Sequence, residues 1–374
     1  MKKTILSILL CVTSGLLAIA QGPFTGKPQY SILTKQNGDT LGITTIELFP
    51  IIAPLHVANF DSLVNVSFFD STAFHRVIPG FMIQGGDPNS RHGADSTWGF
   101  GDPSQPTVNA EFSAAKHIRG ILSAARDNDT NSANSQFFIC VATAAWLNGE
   151  YSVYGKVVSG MNYVDSIVNT PRDANDKPLD KIEMFISYIG SNDSVPNAPL
   201  LNLPASGSYS AGTSKVLKWI TQPDGILYHV EVATDSLFTN LVKNVESGAN
   251  TYTATGLTPL TKYYWRVRTN NGGHFSAYSE VWNFYISAVG IDERNAGAID
   301  LHVSPNPGMG IFTFYNTVAG SHLQLFDAAG KLVYQALSEE KTTVVDLHEF
   351  PKGIYYYKLT GSDTISEKGK LVFH

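Results

Sequence analysis

Hydrophobic and polar residues alternate with a period of two along most of the chain, which is the pattern of β-strands with one buried face. Asn37-Gly38-Asp39 is a typical hairpin turn, and it predicts that residues 30–35 pair with residues 43–48. Turn residues also separate the later apolar runs of this first segment. These runs predict further strands over residues 73–78, 81–84, 120–125, 136–141, 152–158 and 182–189.

Two segments of the same region have helical periodicity instead. Pro54 suits the first turn of a helix that runs to about Val64. Three apolar residues lie on one side of this helix, namely Leu55, Ala58 and Leu63. Four more apolar residues are spaced as in a second helix: Met161, Val164, Ile167 and Val168. Seven or eight strands with two helices predict a barrel that is capped at its ends.

Two polar linkers divide the chain, the first at residues 191–199 and the second at residues 287–300. A length of 374 residues also exceeds one ordinary core, because domains contain roughly 150 residues. We therefore expect three domains, at residues 23–191, 197–288 and 301–374. The barrel is followed by two β-sandwiches, so the protein is expected to be mainly β.

The middle domain is almost entirely strand and turn. Its alternating runs lie at residues 216–219, 228–232, 263–268 and 282–286. Residues 257–264 resemble the corner that leads into a late strand of a fibronectin type III domain, and Trp219 stands where that family has a core tryptophan. We expect the aromatic residues of this domain to form its core, with a ligand-binding surface as the alternative.

The first twenty residues have the features of a secretory signal peptide. Two lysines precede an apolar run over residues 5–17, and Ala18 and Ala20 supply the small residues of a cleavage site. We therefore expect residues 1–20 to be removed. A membrane anchor is the weaker alternative because the run is short, and no later apolar stretch is long enough to span a bilayer.

Composition and motifs exclude several classes of function. The net charge is −6, which argues against nucleic-acid binding because that affinity depends on Lys and Arg neutralising phosphates. The chain has no cysteine pair at metal spacing, no His-Glu-x-x-His, no glycine-rich phosphate loop and no Gly-x-Ser-x-Gly. We expect neither a metal nor a cofactor. Removal of the leader would leave Cys140 as the one cysteine, which excludes an internal disulfide.

The end of the chain carries four strand-like motifs, at residues 303–308, 323–334, 353–359 and 368–372. Their order resembles the C-terminal sorting domain of the Bacteroidetes type IX secretion system; a small accessory β-sandwich is the alternative. The resemblance implies export through the periplasm to the cell surface or the medium, with the secretion machinery as a partner and later removal of the domain. Such a segment is a targeting signal that the secretion machinery recognises, and it does not itself anchor the protein in a membrane.

Candidate chemistry lies in residues 74–88, where two polar side chains interrupt a pair of apolar strands. Strand alternation places Arg76, Phe81 and Gln84 among the residues of one face. The segment resembles the signature of the cyclophilins, which are peptidyl-prolyl cis-trans isomerases. Further family motifs follow in order, at residues 120–126, 135–139, 146–149 and 154–157. The likeness covers about residues 28–190 and implies a closed eight-stranded barrel with two capping helices.

The resemblance implies catalytic roles for Arg76, Phe81 and Gln84. It implies substrate-binding roles for nine further residues: His75, Met82, Ala125, Arg126, Gln136, Phe138, Trp146, Leu147 and Tyr151. The reaction transfers no group, since its barrier of roughly 18–20 kcal/mol is that of rotation about the X–Pro amide. A permanently charged guanidinium can stabilise the twisted amide. The expected partners are proline-containing peptides and unfolded proteins, with a cyclosporin-type ligand, which Trp146 would help to bind, as a further candidate.

Two departures from the family pattern affect the expected specificity. Tyr151 stands where many cyclophilins have a pocket histidine, and Arg126 replaces a frequent asparagine. We expect the arginine's backbone to pair with substrate as an added strand, and its charge to influence which flanking residues are preferred. The alternative function is a non-catalytic surface protein that uses the barrel and the fibronectin-like domain for binding or adhesion.

Overall fold

The computed structural model describes residues 24–287, 301–315, 317, 319–360 and 366–374. The predicted signal peptide and most of the second linker lie outside these ranges. In the described part of the chain, no helix combines the length and the hydrophobicity needed to cross a bilayer.

The first domain is a closed barrel of eight strands in the order β1-β2-β7-β5-β6-β4-β3-β8, as predicted. Asn37 and Gly38 form the two-residue turn of the first hairpin, with φ values of 53° and 87°, the left-handed conformation that a type I′ turn requires at both positions. The strands are β1 Lys27–Gln36, β2 Asp39–Leu48, β3 Thr72–Ile78, β4 Met82–Gly85, β5 Ile121–Ala124, β6 Phe137–Cys140, β7 Val153–Ser159 and β8 Ile182–Asn192.

Three helices accompany the barrel: α1 Pro54–Asn65, the short α2 Asn89–His92, and α3 Met161–Val168. The face of α3 is as predicted, with Val164, Ile167 and Val168 buried.

The predicted face of α1 is wrong. Leu55 is 50% exposed, and the buried side carries His56, Val57, Phe60, Asp61 and Val64. Two of these are polar and have partners: His56 Nδ1 lies 2.7 Å from a carboxylate oxygen of Glu111, and Asp61 accepts a hydrogen bond of 2.6 Å from the Tyr30 hydroxyl. Buried polar groups are stable when they are paired, so the apolar residues alone gave the wrong face.

The middle domain is a sandwich of a five-stranded sheet, β10-β16-β15-β12-β13, and a three-stranded sheet, β14-β11-β9. Its strands are β9 Leu201–Leu203, β10 Ser208–Ser210, β11 Ser214–Trp219, β12 Leu227–Ala233, β13 Leu241–Ser247, β14 Thr251–Thr255, β15 Thr261–Asn270 and β16 Trp282–Ile286. Trp219 and Trp265 are fully buried in its core. The Tyr263 hydroxyl accepts a hydrogen bond from the Thr258 N–H at 2.8 Å. The fibronectin type III resemblance stays a prediction.

The C-terminal domain also consists of two sheets, β17-β18-β21 and β20-β19-β22-β23. Its strands are β17 His302–Ser304, β18 Ile311–Tyr315, β19 His322–Phe326, β20 Leu332–Leu337, β21 Thr342–Asp346, β22 Gly353–Thr360 and β23 Ser366–Phe373. Phe312 and Phe314 of one sheet and Leu323 and Leu325 of the other are buried in a common core. The mainly β fold class is confirmed.

Candidate active site

Four neighbouring strands bring the predicted site residues into one row. Arg76 of β3 is paired in register with Gln84 of β4, Gln84 with Phe138 of β6, and Phe138 with Ser123 of β5. Residues paired across strands point to the same face of a sheet. The row therefore crosses the outer surface of the barrel from a cation through an amide to an aromatic ring.

Strand alternation explains why this row lies outside the barrel. Ile83, Phe137 and Ile139 belong to the main barrel core, so their neighbours Gln84 and Phe138 must point to the opposite face. A separate apolar cluster forms there, made of Met82, Phe138, Cys140, Ala144 and Leu147, with Ile78, Phe81, Ala125 and Tyr151 packed against it.

An open cavity of about 480 Å³ lies over this outer cluster. All the predicted site residues line it except His75 and Gln136. The lining residues are Arg76, Phe81, Met82, Gln84, Ala125, Arg126, Phe138, Trp146, Leu147, Glu150 and Tyr151. Glu150 was not predicted, although its position between Leu147 and Tyr151 on one short loop is a signal that places it at the cavity.

Aromatic side chains form the apolar side of the cavity. The rings of Phe81 and Trp146 lie 5.4 Å apart between centroids, and Tyr151 meets Phe138 edge to face at 5.8 Å. Trp146 is 64% exposed, whereas Phe138 and Leu147 are buried. An exposed ring above a buried apolar base makes a recess in which a small apolar ring can lose its water.

The polar side of the cavity is organised by two glutamines. Gln84 Nε2 donates to Gln136 Oε1 at 3.1 Å, and Gln136 Nε2 donates to the Gly99 carbonyl at 3.2 Å. Gln136 thus acts behind Gln84 rather than in the cavity wall. Arg76 is exposed, and within the described ranges no carboxylate pairs with its guanidinium, so its positive charge is not neutralised by a neighbouring side chain.

His75 is buried beside Arg76 and faces away from the cavity, with its ring against Gly99. Burial lowers the pKa of His75 to about 4, against the opposing effect of the Asp87 carboxylate. The imidazole is therefore neutral at physiological pH, and the one charge that this part of β3 presents is that of Arg76.

A second histidine, which sequence reasoning missed, supports the cavity from behind. The His117 ring stacks on Phe138 at 6.1 Å with 16° between the planes, and its Nε2 lies 3.0 Å from the Ser123 hydroxyl. His117 is fully buried, and burial lowers its pKa. Its position three residues before the predicted strand over residues 120–125 gave no signal of this contact.

The Arg126 side chain folds across the rim of the cavity. Its guanidinium lies 4.4 Å from the centre of the Tyr151 ring, and its Nη2 donates to the Glu150 carbonyl at 3.1 Å. Its backbone N–H and carbonyl form no hydrogen bond with any other described residue. These backbone groups are thus free to pair with an extended peptide.

The remaining candidate groups carry no chemistry of their own. Cys140 is fully buried, and burial raises the pKa of its thiol to about 12, which leaves it unreactive at neutral pH. Among the described residues, no group of three or more His, Cys, Asp or Glu side chains is placed to hold a metal ion.

Two family models match the chain. Residues 30–186 match the model described as "Cyclophilin type peptidyl-prolyl cis-trans isomerase/CLD". Residues 302–374 match the model described as "Secretion system C-terminal sorting domain".

Relatives with known names match part of this chain. A "Probable peptidyl-prolyl cis-trans isomerase" of Brucella suis is 45% identical over 145 residues, which are 37% of this chain and 72% of that protein. A "Peptidyl-prolyl cis-trans isomerase" of Acinetobacter baylyi is 41% identical over 138 residues, covering 35% of this chain and 69% of that protein. A crystal structure of a Cryptosporidium parvum cyclophilin type peptidyl-prolyl cis-trans isomerase is 31% identical with a TM-score of 0.39, and covers 44% of this chain and 99% of that one.

The sequence identity to named bacterial isomerases favours the enzyme over the predicted alternative of a non-catalytic binding protein. The chain belongs to the cyclophilin-type peptidyl-prolyl cis-trans isomerases, and it carries a secretion-system sorting domain at its C-terminal end.

Proposed function

We propose that this protein is an exported isomerase that rotates X–Pro bonds in peptides and unfolded proteins, with Arg76 as the group that stabilises the twisted amide. Rotation removes amide resonance and leaves a lone pair on the proline nitrogen. A guanidinium that donates to this nitrogen, or to the adjoining carbonyl, binds the twisted state more tightly than either planar isomer. The unpaired charge of Arg76 at the edge of an apolar recess is the observation that carries the proposal.

The apolar recess would hold the proline ring while the preceding peptide turns. Met82, Phe138 and Leu147 are buried at its base, and Phe81 and Trp146 stand beside it. Fixing the proline ring places the proline nitrogen in a defined position relative to the Arg76 guanidinium, so that the catalytic group need not find the substrate in each rotation.

Polar groups around the recess would orient the substrate backbone. Gln84, held by Gln136 at 3.1 Å, is placed next to Arg76 in the strand register. The free backbone groups of Arg126 would add the peptide as a short strand.

His75 would contribute indirectly, as a neutral packed neighbour of Arg76, and Tyr151 would form the far wall of the recess together with the Arg126 guanidinium. Trp146 is exposed enough to contact a cyclosporin-type ligand.

The sorting domain supports export, with the periplasm as a transit compartment and the cell surface or medium as the destination. In this proposal the domain binds the secretion machinery, and residues 1–20 direct the first step across the inner membrane. The substrates would then be proteins that fold in the periplasm or outside the cell.

The proposal is tested by a proline-isomerisation assay on the full chain. We expect turnover by the wild type and a loss of roughly 100- to 1,000-fold in kcat/KM for Arg76→Ala, the range found when one preorganised donor is removed. Arg172→Ala is the matched control, because Arg172 is also on the barrel and pairs with Asp176 at 3.3 Å outside the cavity. A wild-type chain that binds proline peptides without accelerating their exchange would contradict the proposal.

A further inference from the structure

The barrel and the middle sandwich share a buried apolar cluster. Phe49, Ala115, Ile121 and Val153 of the barrel pack with Leu227, the first residue of β12, and none of the five is more than 4% exposed. Leu227 belongs to this cluster and not to the core of the sandwich. Its side chain therefore stabilises the contact between the two domains.

Backbone contacts show that this interface is close. The Ile51 N–H donates to the Gly272 carbonyl at 2.9 Å. A Cβ at Gly272 would overlap the Phe49 ring, and a Cβ at Gly248 would overlap the carbonyl oxygen of Ala114. The glycines of the sandwich thus let its turns lie directly against the barrel backbone.

The barrel segment that the sandwich contacts is also the segment that supports the cavity. We call residues 114–117 the support segment. Its first two residues face the sandwich, at Gly248 and in the apolar cluster. Its last residue, His117, stacks on Phe138 in the base of the cavity.

The support segment also holds the loop that carries Trp146 and Leu147. The His117 N–H donates to Asn148 Oδ1 at 2.7 Å, and the His117 carbonyl accepts from the Ala144 N–H at 2.8 Å. One short segment thus contacts the sandwich on one side and, on the other, Phe138 at the base of the apolar recess and the loop that carries Trp146 and Leu147.

We propose that the middle sandwich is a positioning part of the isomerase, which holds residues 114–117 so that His117 fixes Phe138 and the loop of Leu147 around the proline ring. This inference rests on the proposed function of the cavity. It assigns the middle domain a role inside the enzyme rather than a separate binding activity. Because catalysis depends on sub-ångström placement, a displaced support segment lowers activity without removing any residue of the cavity.

Two substitutions in the sandwich perturb the interface without touching the cavity. Gly248→Ala adds one methyl group, whose nearest neighbours are all in the barrel, at Ala114 and Lys116. Leu227→Ala removes apolar atoms from the shared cluster. Leu237→Ala is the matched control, because Leu237 lies in the same domain and is 82% exposed.

The test measures kcat/KM of the full chain by exchange NMR on a proline peptide, together with the NMR titration of the His117 imidazole. We expect a fall of roughly 10-fold in kcat/KM for Gly248→Ala and Leu227→Ala, and a rise in the pKa of His117 as it becomes more exposed. Leu237→Ala should match the wild type in both measurements. The indole signals of Trp219 and Trp265 report whether each variant retains its folded sandwich.

The outcomes separate this inference from the function on which it rests. Wild-type kcat/KM and an unchanged His117 titration in both interface variants would overturn the positioning role while leaving the isomerase intact. A wild-type chain without activity would instead refute the proposed function, and the His117 titration would still decide whether the sandwich positions the support segment.

Discussion

The stability of the barrel should depend on pH through His75, the buried neighbour of Arg76 on β3. Burial lowers its pKa from 6.5 to about 4, so between these values the unfolded chain binds a proton that the folded barrel does not. Protons bound preferentially by the unfolded state stabilise that state. The free energy of unfolding therefore falls as the pH falls through this window, and proton linkage to His75 ceases to destabilise the barrel well above pH 6.5.

The two pKa values set the size of the effect. Relative to neutral pH, proton linkage to this one group lowers the free energy of unfolding by about 2 kcal/mol at pH 5 and about 3 kcal/mol at pH 4. That loss is a large fraction of the stability of an ordinary domain, which is roughly 5–15 kcal/mol.

A comparison with His75→Gln isolates this contribution. Urea unfolding of both full-length chains, followed by the NMR signals of the barrel between pH 7 and pH 4, gives a difference in which the other titrating groups cancel. We expect the variant to lose about 3 kcal/mol less than the wild type over this range. Equal pH dependence of the two chains, or titration of the His75 imidazole near its ordinary value, would refute the argument.

Two further predictions concern a buried ion pair of the barrel and export. Glu47 is buried with Lys27 at 3.1 Å. Although burial alone raises the pKa of Glu47, Lys156 and Lys27 outweigh burial and lower it. Glu47→Gln should cost about 3–5 kcal/mol by leaving buried positive charge unpaired, against less than about 1 kcal/mol for the partly exposed control Glu183→Gln. Similar urea midpoints for the two variants would contradict this. Deletion of residues 301–374 should leave the protein in the periplasm in cell fractionation, and unchanged surface or medium content would show that the sorting domain is dispensable.

Strand alternation and turn chemistry were sufficient to predict most of the fold. Each strand of the barrel needs one apolar face, so the local sequence alternates with a period of two. The turn at Asn37-Gly38 predicts the first hairpin, although a bulge between Thr34 and Lys35 shifts the register beyond the pairs nearest the turn. The same alternation placed Arg76 and Gln84 together outside the core.

The local pattern gave no information about contacts between distant segments. His56 and Asp61 are buried on α1 because Glu111 and Tyr30 satisfy them, and polar partners far along the chain cannot be inferred from helical spacing. Likewise, nothing in the sequence near Leu227 indicates that its side chain packs against the barrel.

The cavity, too, could be predicted only in part from the sequence. Family motifs pointed to its lining, but the burial of His75 and the support by His117 depend on how separate loops pack. Gln136 takes its place behind Gln84 because its amide reaches the Gly99 carbonyl, a contact set by the loop over residues 99–101.

The central claim is that Arg76 accelerates rotation of a bound X–Pro bond, and the rate of cis-trans exchange within the saturated complex tests it most directly. Two-dimensional exchange NMR on a proline peptide, with the wild type, Arg76→Ala and Arg76→Lys in excess, separates this rate from affinity. We predict bound-state exchange slowed roughly 100-fold or more in Arg76→Ala, partial recovery in Arg76→Lys, and dissociation constants that change much less. Equal bound-state exchange rates in wild type and Arg76→Ala would contradict the account.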